Sequence, residues 1–299
     1  MRERRRVLLL GATGFIGRHA RAAFETAGDE VLAIGGPGAR ESTSRGLDLA
    51  EGDLAALVAE AGTDVVVNCA GRTHGTLPEL EAANVTLVRR LLDAVARSSV
   101  RLVHLGSAAE YGPSGGVRPT REDDPARPDA QYGRTKLRAT ELVRASGLDA
   151  IVLRVFNPVG AGMRPESMPG SAAHRIFEAL ALGADAITMG DLSAQRDFVD
   201  ARDVGEAIVA VARAAAPPSL INVGSGRAVP SRTLVAELAD VAGFRGAIRE
   251  DGAASPRSAT VDYQCAAVEV ARKHLGWAAH RSLRESVTEL WKATASVGS

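Results

Sequence analysis

Leu8-Leu9-Leu10-Gly11-Ala12-Thr13-Gly14-Phe15-Ile16-Gly17 is the stretch whose reading decides the fold. Three evenly spaced glycines separate an apolar run from an amphipathic one. Glycine permits a tight turn, lets backbone approach a pyrophosphate and allows the next helix to pack closely, while the helix N-terminus favours negative charge. Any strand-to-helix turn can hold glycine, so the pattern takes its meaning from the strand before it, the helix after it and its place near the start of the chain. Gly11, Thr13, Gly14, Phe15, Ile16 and Gly17 are therefore expected to hold a dinucleotide cofactor.

Outward from that turn, short apolar runs alternate with longer amphipathic ones. Arg6–Leu10, Glu30–Ile34, Asp64–Cys69, Arg101–Gly106 and Ala150–Phe156 read as strands, with helices over Ile16–Ala27, Leu54–Ala61, Leu80–Ser98 and Tyr132–Ala145. Strands too apolar to face water, alternating with helices, imply an α/β fold with a doubly wound parallel sheet covered on both faces. After Phe156 the pattern turns to Gly- and Pro-rich loops, with helices near Ala172–Leu182, Asp203–Ala214 and Ser231–Ala242. Residues 1–160 are expected to form the dinucleotide domain and 161–299 mainly a smaller substrate lobe. The helix after Asp203 and the strand Leu220–Val223 make 195–225 a candidate to return to the main sheet.

A chain of 299 residues, 45% hydrophobic, can bury a large core. Its 36 basic and 36 acidic residues cancel, which gives no general reason to expect nucleic acid or a membrane surface as partner. The apolar run after MRERRR is broken by Gly11 and Gly14 before it could serve as a signal peptide, and no stretch approaches the roughly 18 to 20 apolar residues of a membrane helix. A cytoplasmic protein is expected. Cys69 and Cys265 fit neither a disulfide framework nor a zinc spacing, and His74, His104 and His174 suggest no metal. Both cysteines are read as small buried residues.

In an NAD site the second strand usually ends in an acidic residue that takes the ribose hydroxyls. Here Ile34 is followed by Gly35-Gly36-Pro37-Gly38-Ala39-Arg40, with no carboxylate at the expected place. Gly35 and Arg40 favour NADP(H), Arg40 meeting a 2′-phosphate, with NAD(H) as the alternative. Arg40 also reads as an ordinary solvated loop residue.

Tyr132-Gly133-Arg134-Thr135-Lys136 places a phenol and an ammonium four residues apart, hence on one helix face, roughly 5 to 6 Å apart at Cβ. An ammonium beside a phenol favours the phenolate, which suits proton exchange with a substrate oxygen. Ser107 stands at the carboxyl end of the strand before that helix, where ligand crevices form. Its hydroxyl could bind the same oxygen; alone, it would read as a loop serine making a local bond.

Taken together, GATGFIG, GSAAEYG, YGRTK, RVFNPVG, RDFVD and INVGSG resemble, in order and spacing, the extended short-chain dehydrogenase/reductase family over nearly the whole chain. That resemblance implies Ser107, Tyr132 and Lys136 as the catalytic triad, with the lysine also binding the cofactor ribose. It implies further that Asp48 and Leu49 lie by the adenine, Cys69, Ala70 and Gly71 along the cofactor, and Phe156 to Pro158 near the nicotinamide and substrate. RVFNPVG is similar to the matching segment of UDP-galactose 4-epimerase and other nucleotide-sugar enzymes, which implies that Asn157 contacts a sugar nucleotide. Arg196 and Arg257 match positions that hold its diphosphate, a role suited to a guanidinium. Both also read as structural ion-pair members.

Departures from the family narrow the reaction. Nucleotide-sugar dehydratases carry acidic residues just after the serine or threonine, where this chain has Ala108 and Ala109, and GDP-fucose synthase-like enzymes carry a cysteine where Ala109 stands. Glu110 lies one place later and resembles a residue of some 4-keto-6-deoxyhexose reductases. The expected function is an NADPH-dependent ketoreductase of a nucleoside-diphosphate 4-keto-6-deoxysugar, with Ser107, Ala108, Ala109, Asn157, Arg196 and Arg257 toward the substrate. A nucleotide-sugar 4-epimerase with tightly bound NAD, or a reductase of a non-sugar natural-product ketone, are the alternatives. Relatives commonly dimerise through the helices Leu80–Ser98 and Tyr132–Ala145, so a homodimer is expected.

Overall fold

The computed structural model describes residues 4–36, 44–60, 62–113, 116, 118–252 and 261–297. Its first half runs β1 (Arg6–Leu10), α1 (Phe15–Thr26), β2 (Glu30–Gly35), β3 (Arg45–Gly46), α2 (Leu54–Glu60), β4 (Val65–Asn68), α3 (Leu77–Glu81), α4 (Leu87–Val95), β5 (Arg101–Ser107), α5 (Gln131–Ala145) and β6 (Ala150–Val155). There follow β7 (Pro158–Val159), α6 (Met168–Leu182), β8 (Ala186–Gly190), β9 (Gln195–Asp197), β10 (Val199–Asp200), α7 (Ala201–Arg213) and β11 (Leu220–Val223). The chain ends with β12 (Ala228–Pro230), α8 (Ser231–Ala242), β13 (Ala247–Gly252), β14 (Tyr263–Gln264), α9 (Glu269–Leu275) and α10 (Leu283–Val297).

Seven strands form one parallel sheet in the order β11-β6-β5-β4-β1-β2-β3. The order reverses between β1 and β4, so the crevice outside their carboxyl ends is where a doubly wound sheet binds ligand. Alternate side chains serve opposite faces. Val7, Leu9, Val65, Val67 and Val103 pack toward α1 and α7, whereas Leu8, Leu10, Val66 and Leu102 pack toward α2, α4 and α5. Burying each such side chain stabilises the fold by roughly 1.5–3 kcal/mol. The sheet is the α/β, doubly wound arrangement that the sequence implies.

A third core gathers Ile176, Ile187, Leu234, Leu238, Val287 and Leu290 from α6, β8, α8 and α10, with Leu192 from the loop after β8. These elements form the lobe beside the sheet. Helix α6 begins at Met168, earlier than the periodicity suggests, because Ser167 accepts the Gly170 N–H and Pro169 suits the first turn. The short strands β7 to β10 and β12 to β14 are too brief to show a period of two. The outward faces of α4 and α5 carry exposed Arg89, Asp93, Arg134, Arg138 and Glu141. Among the described residues no helix is long and apolar enough to cross a membrane.

Candidate active site

At the glycine turn, backbone replaces side chains. Gly11 has φ +73°, and its neighbour Gly14 donates its N–H to the Gly11 carbonyl at 2.9 Å. A Cβ on Gly17 would stand 2.0 Å from that carbonyl, and one on Gly11 would stand 2.7 Å from the Ala70 nitrogen. The ends of β1 and β4 thus meet with no room for anything but glycine. No side chain caps α1 and its first turn holds no acidic residue, so its leading N–H groups are left for an anion. Such a cradle fits a dinucleotide pyrophosphate.

Thr13, Phe15 and Ile16 are half-buried around this turn, with Phe15 edge-on to His19. Cys69 N–H donates to the Leu10 carbonyl and Ala70 N–H to Asn68 Oδ1, which fixes the strand end facing the cradle. Cys69 is half-buried rather than buried as expected, and desolvation pushes its thiol up to about 12. Cys265 is buried. Gly71 has φ +157°, and a Cβ there would sit 2.8 Å from Asn84 Oδ1 and 4.0 Å from Lys136 Nζ.

Gly35, buried, pairs with Gly46 at the sheet edge. Asp48 is exposed and accepts the Ala50 N–H, while Leu49 packs against the core beneath. Arg90 of α4, which the sequence reading passed over, donates to the carbonyls of Leu49, Ala50 and Gly52 and so holds this loop. Arg40 and Arg257 lie outside the described residues.

Lys136 is buried on α5, one turn after half-buried Tyr132. Its Nζ donates to the Leu105 carbonyl at 2.5 Å. Burial lowers it to about 8, opposed first by the charge of Glu110. The helix comes this close because residue 133 is glycine: a Cβ there would stand 2.4 Å from the Ala109 carbonyl. Ser107 ends β5 half-buried, its Oγ accepting the Ala109 N–H at 3.2 Å. Ala108 is buried and Ala109 half-buried, so neither supplies an acid or base.

Substrate-side candidates gather around β9. Asn157 Nδ2 donates to the Asp197 carbonyl and to Gln264 Oε1. Arg196 is buried, with guanidinium donors on the carbonyls of Gln195 and Val261. Next to it, Asp197 is fully buried and accepts from Ser225 N and Oγ, Gly226 N and Ala266 N. Burial raises its carboxyl, opposed by those donors. The Phe156 ring is fully buried with Ala108, Tyr111, Ala266 and Val268, so contact with a dinucleotide there would fall to its backbone.

Several organising residues gave no sequence signal. The helix expected over Leu80–Ser98 is three pieces: α3, a π-helical turn over Ala82–Thr86, and α4. Within that turn Asn84 donates to the Arg72 carbonyl and Thr135 Oγ1 while accepting the Arg72 N–H, and Thr135 Oγ1 donates to the Tyr132 carbonyl. His104, fully buried on β5, is held well below its usual range by burial and the nearby Lys136, and its Nδ1 meets Asn68 Nδ2 at 3.1 Å. Among the described residues, Asp203, Glu206 and His280 form the one group with metal-like spacing. Arg281 already donates to both of its carboxylates.

A side-chain-free cradle at a sheet switch point, with a buried ammonium one turn from a phenol, is the apparatus of an enzyme that works on a nicotinamide dinucleotide. The chain belongs to the NAD dependent epimerase/dehydratase family, whose model matches residues 7–224. It is 40% identical over 302 residues to the dTDP-6-deoxy-L-talose 4-dehydrogenase (NAD(P)(+)) of Kitasatospora kifunensis, covering 96% of this chain and 95% of that one. To the UDP-glucose 4-epimerase of Azospirillum brasilense it is 30% identical over 274 residues, covering 80% and 78%. The solved structure of MoeE5 in complex with UDP-glucuronic acid and NAD superposes with a TM-score of 0.84 at 29% identity, covering 97% and 99%.

Proposed function

We propose that this enzyme is an NADPH-dependent ketoreductase acting on a nucleoside-diphosphate 4-keto-6-deoxyhexose. One observation carries the reading: Tyr132 and Lys136 lie one turn apart on α5, beside the end of the strand that bears Ser107, while the two positions after Ser107 offer only methyl groups. The site is equipped to exchange a proton with one oxygen and lacks the acid and base for eliminating water. The 40% identical relative named as a 4-dehydrogenase of a dTDP-6-deoxyhexose supports the sugar and the carbon, since oxidation there is the reverse of the reduction proposed. Absence of a carboxylate at Gly35-Gly36, the described end of β2, supports NADP(H).

A nicotinamide dinucleotide bound on the glycine cradle supplies the hydride. Tyr132 gives its phenolic proton to the carbonyl oxygen, and Ser107 Oγ donates to the same oxygen. The Lys136 charge favours the phenolate left behind. Asn157, and Arg196 with Arg257, are proposed to face the sugar and its diphosphate.

The test is stoichiometric oxidation of NADPH and of NADH with dTDP-, UDP- and GDP-linked 4-keto-6-deoxyhexoses. Turnover favouring NADPH is expected; inactivity with every one of these, alongside reduction of a non-sugar ketone, overturns the reading. The likeness to a UDP-glucose 4-epimerase favours epimerisation as the second reading. Protein purified with stoichiometric NAD, interconverting UDP-hexoses without net redox change, would establish that instead. A homodimer through α4 and α5 would join the charged faces described above, and light scattering reads its mass.

A further inference from the structure

Glu110 has no part in the steps above, yet it is a fully enclosed carboxylate beside them, with 0% of its surface exposed. Burying a carboxylate is costly unless its lone pairs are met and its charge is paired. Here Oε1 accepts the Ser107 N–H at 2.7 Å, and Oε2 accepts the Thr140 hydroxyl at 2.8 Å and Arg154 Nε at 2.7 Å. Ser107 ends β5, Thr140 lies one turn beyond Lys136 on α5, and Arg154 is on β6. One side chain thereby joins the two elements that carry the candidate chemistry, β5 and α5, to the neighbouring strand β6. Gly106 makes room for it, since a Cβ there would come within 2.6 Å of Oε1.

The side chain is enclosed, with both carboxylate oxygens bonded within the protein. Arg154 is itself held over the Tyr111 ring at 4.4 Å, and Tyr111 donates to Asn222 Oδ1 at 2.8 Å. Around Lys136 stand Cys69 after β4, His104 on β5, Asn84 in the π-helical turn, Tyr132 on its own helix, and Glu110. Burial keeps the Cys69 thiol protonated and His104 uncharged. Glu110 is left as the negative charge acting on the lysine.

We propose that Glu110 is a positioning residue for the reaction, fixing the backbone of Ser107 and setting a buried negative charge against Lys136. The inference rests on the reading of Ser107 and Lys136 as reacting groups. It goes beyond a counter-ion for Arg154, because two of its three hydrogen-bond partners belong to other elements of the site.

The chain has only three lysines, Lys136, Lys273 and Lys292, so lysine-selective carbon-13 labelling resolves the titration of Lys136, assigned by its loss in Lys136→Met. The apoenzyme is expected to show a midpoint at about 8. In Glu110→Gln/Arg154→Met, which leaves neither charge buried alone, the midpoint should fall, and the alkaline limb of turnover should follow it. Glu110→Asp keeps the charge but draws it back from the Ser107 amide, so a near-normal midpoint with about tenfold slower turnover is expected. A folded double variant with an unchanged midpoint overturns the proposal, as does an Asp variant with the midpoint of the double variant. The titration needs no substrate. Tyr132→Phe with undiminished turnover would instead overturn the reading of the site while leaving the Lys136 midpoint where it was.

Discussion

Lys136 Nζ donates to the carbonyl oxygen of Leu105, two residues before Ser107, so helix α5 is pinned to the strand that presents the serine. The lysine's position therefore depends on backbone as well as on its own helix. Tyr132, one turn earlier, inherits that placement.

Replacing Tyr132 by Phe removes the candidate proton donor and little else. Turnover is expected to fall by about 10²- to 10⁴-fold, the usual worth of a positioned acid. Dinucleotide affinity, read by fluorescence titration, should stay near that of the parent enzyme. Loss of affinity equal to the loss of turnover would assign Tyr132 to binding.

Reduction should depend on pH through Lys136. Its charged form is the one that favours the Tyr132 phenolate, and burial lowers the lysine to about 8. Raising the pH through that value removes the charge, so kcat for ketone reduction should decline on the alkaline side from about 8. A rate flat to pH 10, measured by stopped-flow NADPH oxidation, would contradict this.

Gly133→Ala adds a methyl group where a Cβ would meet the Ala109 carbonyl at 2.4 Å and the Pro128 ring at 2.8 Å. Helix α5 must then back away from the strand end. Stability should drop by about 1–3 kcal/mol, as for other overpacked sites. Turnover should drop by about 10²-fold, since small misplacements of reacting groups are costly. Thermal unfolding and kcat measured on the same sample separate the two effects.

Arg90→Ala frees the loop at Leu49, Ala50 and Gly52 without touching the candidate chemistry. The KM for the dinucleotide should rise about tenfold while kcat changes little. A fall in kcat alone would show that the loop serves some other purpose.

The sheet could be read from the sequence because its strands are apolar throughout and its first turn is marked by glycines that nothing else could replace. That Tyr132 and Lys136 share one helix, a turn apart, could be read because a spacing of four is local. Glu110 drew notice by its place after Ser107, but its bonds could not be read, since the direction of its side chain is set by Arg154, 44 residues away. Nor could the π-helical turn, because Asn84 finds Thr135 across 51 residues. The small strands of the second lobe are too short for any alternation to register. Arg196 stands between these cases: its motif was visible, but its bonds to the carbonyls of Gln195 and Val261 were not.

Asp197 accepts hydrogen bonds from the segment after β11 and from Ala266 beyond β14 while its own backbone lies in β9. One carboxylate is thus a rivet through three layers of chain where the lobe meets the sheet. Parting those segments would strip a buried carboxylate of its donors. On the function proposed, preference for one sugar over another would then be tuned by swapping side chains, with the seam that Asp197 holds left as an inherited constant.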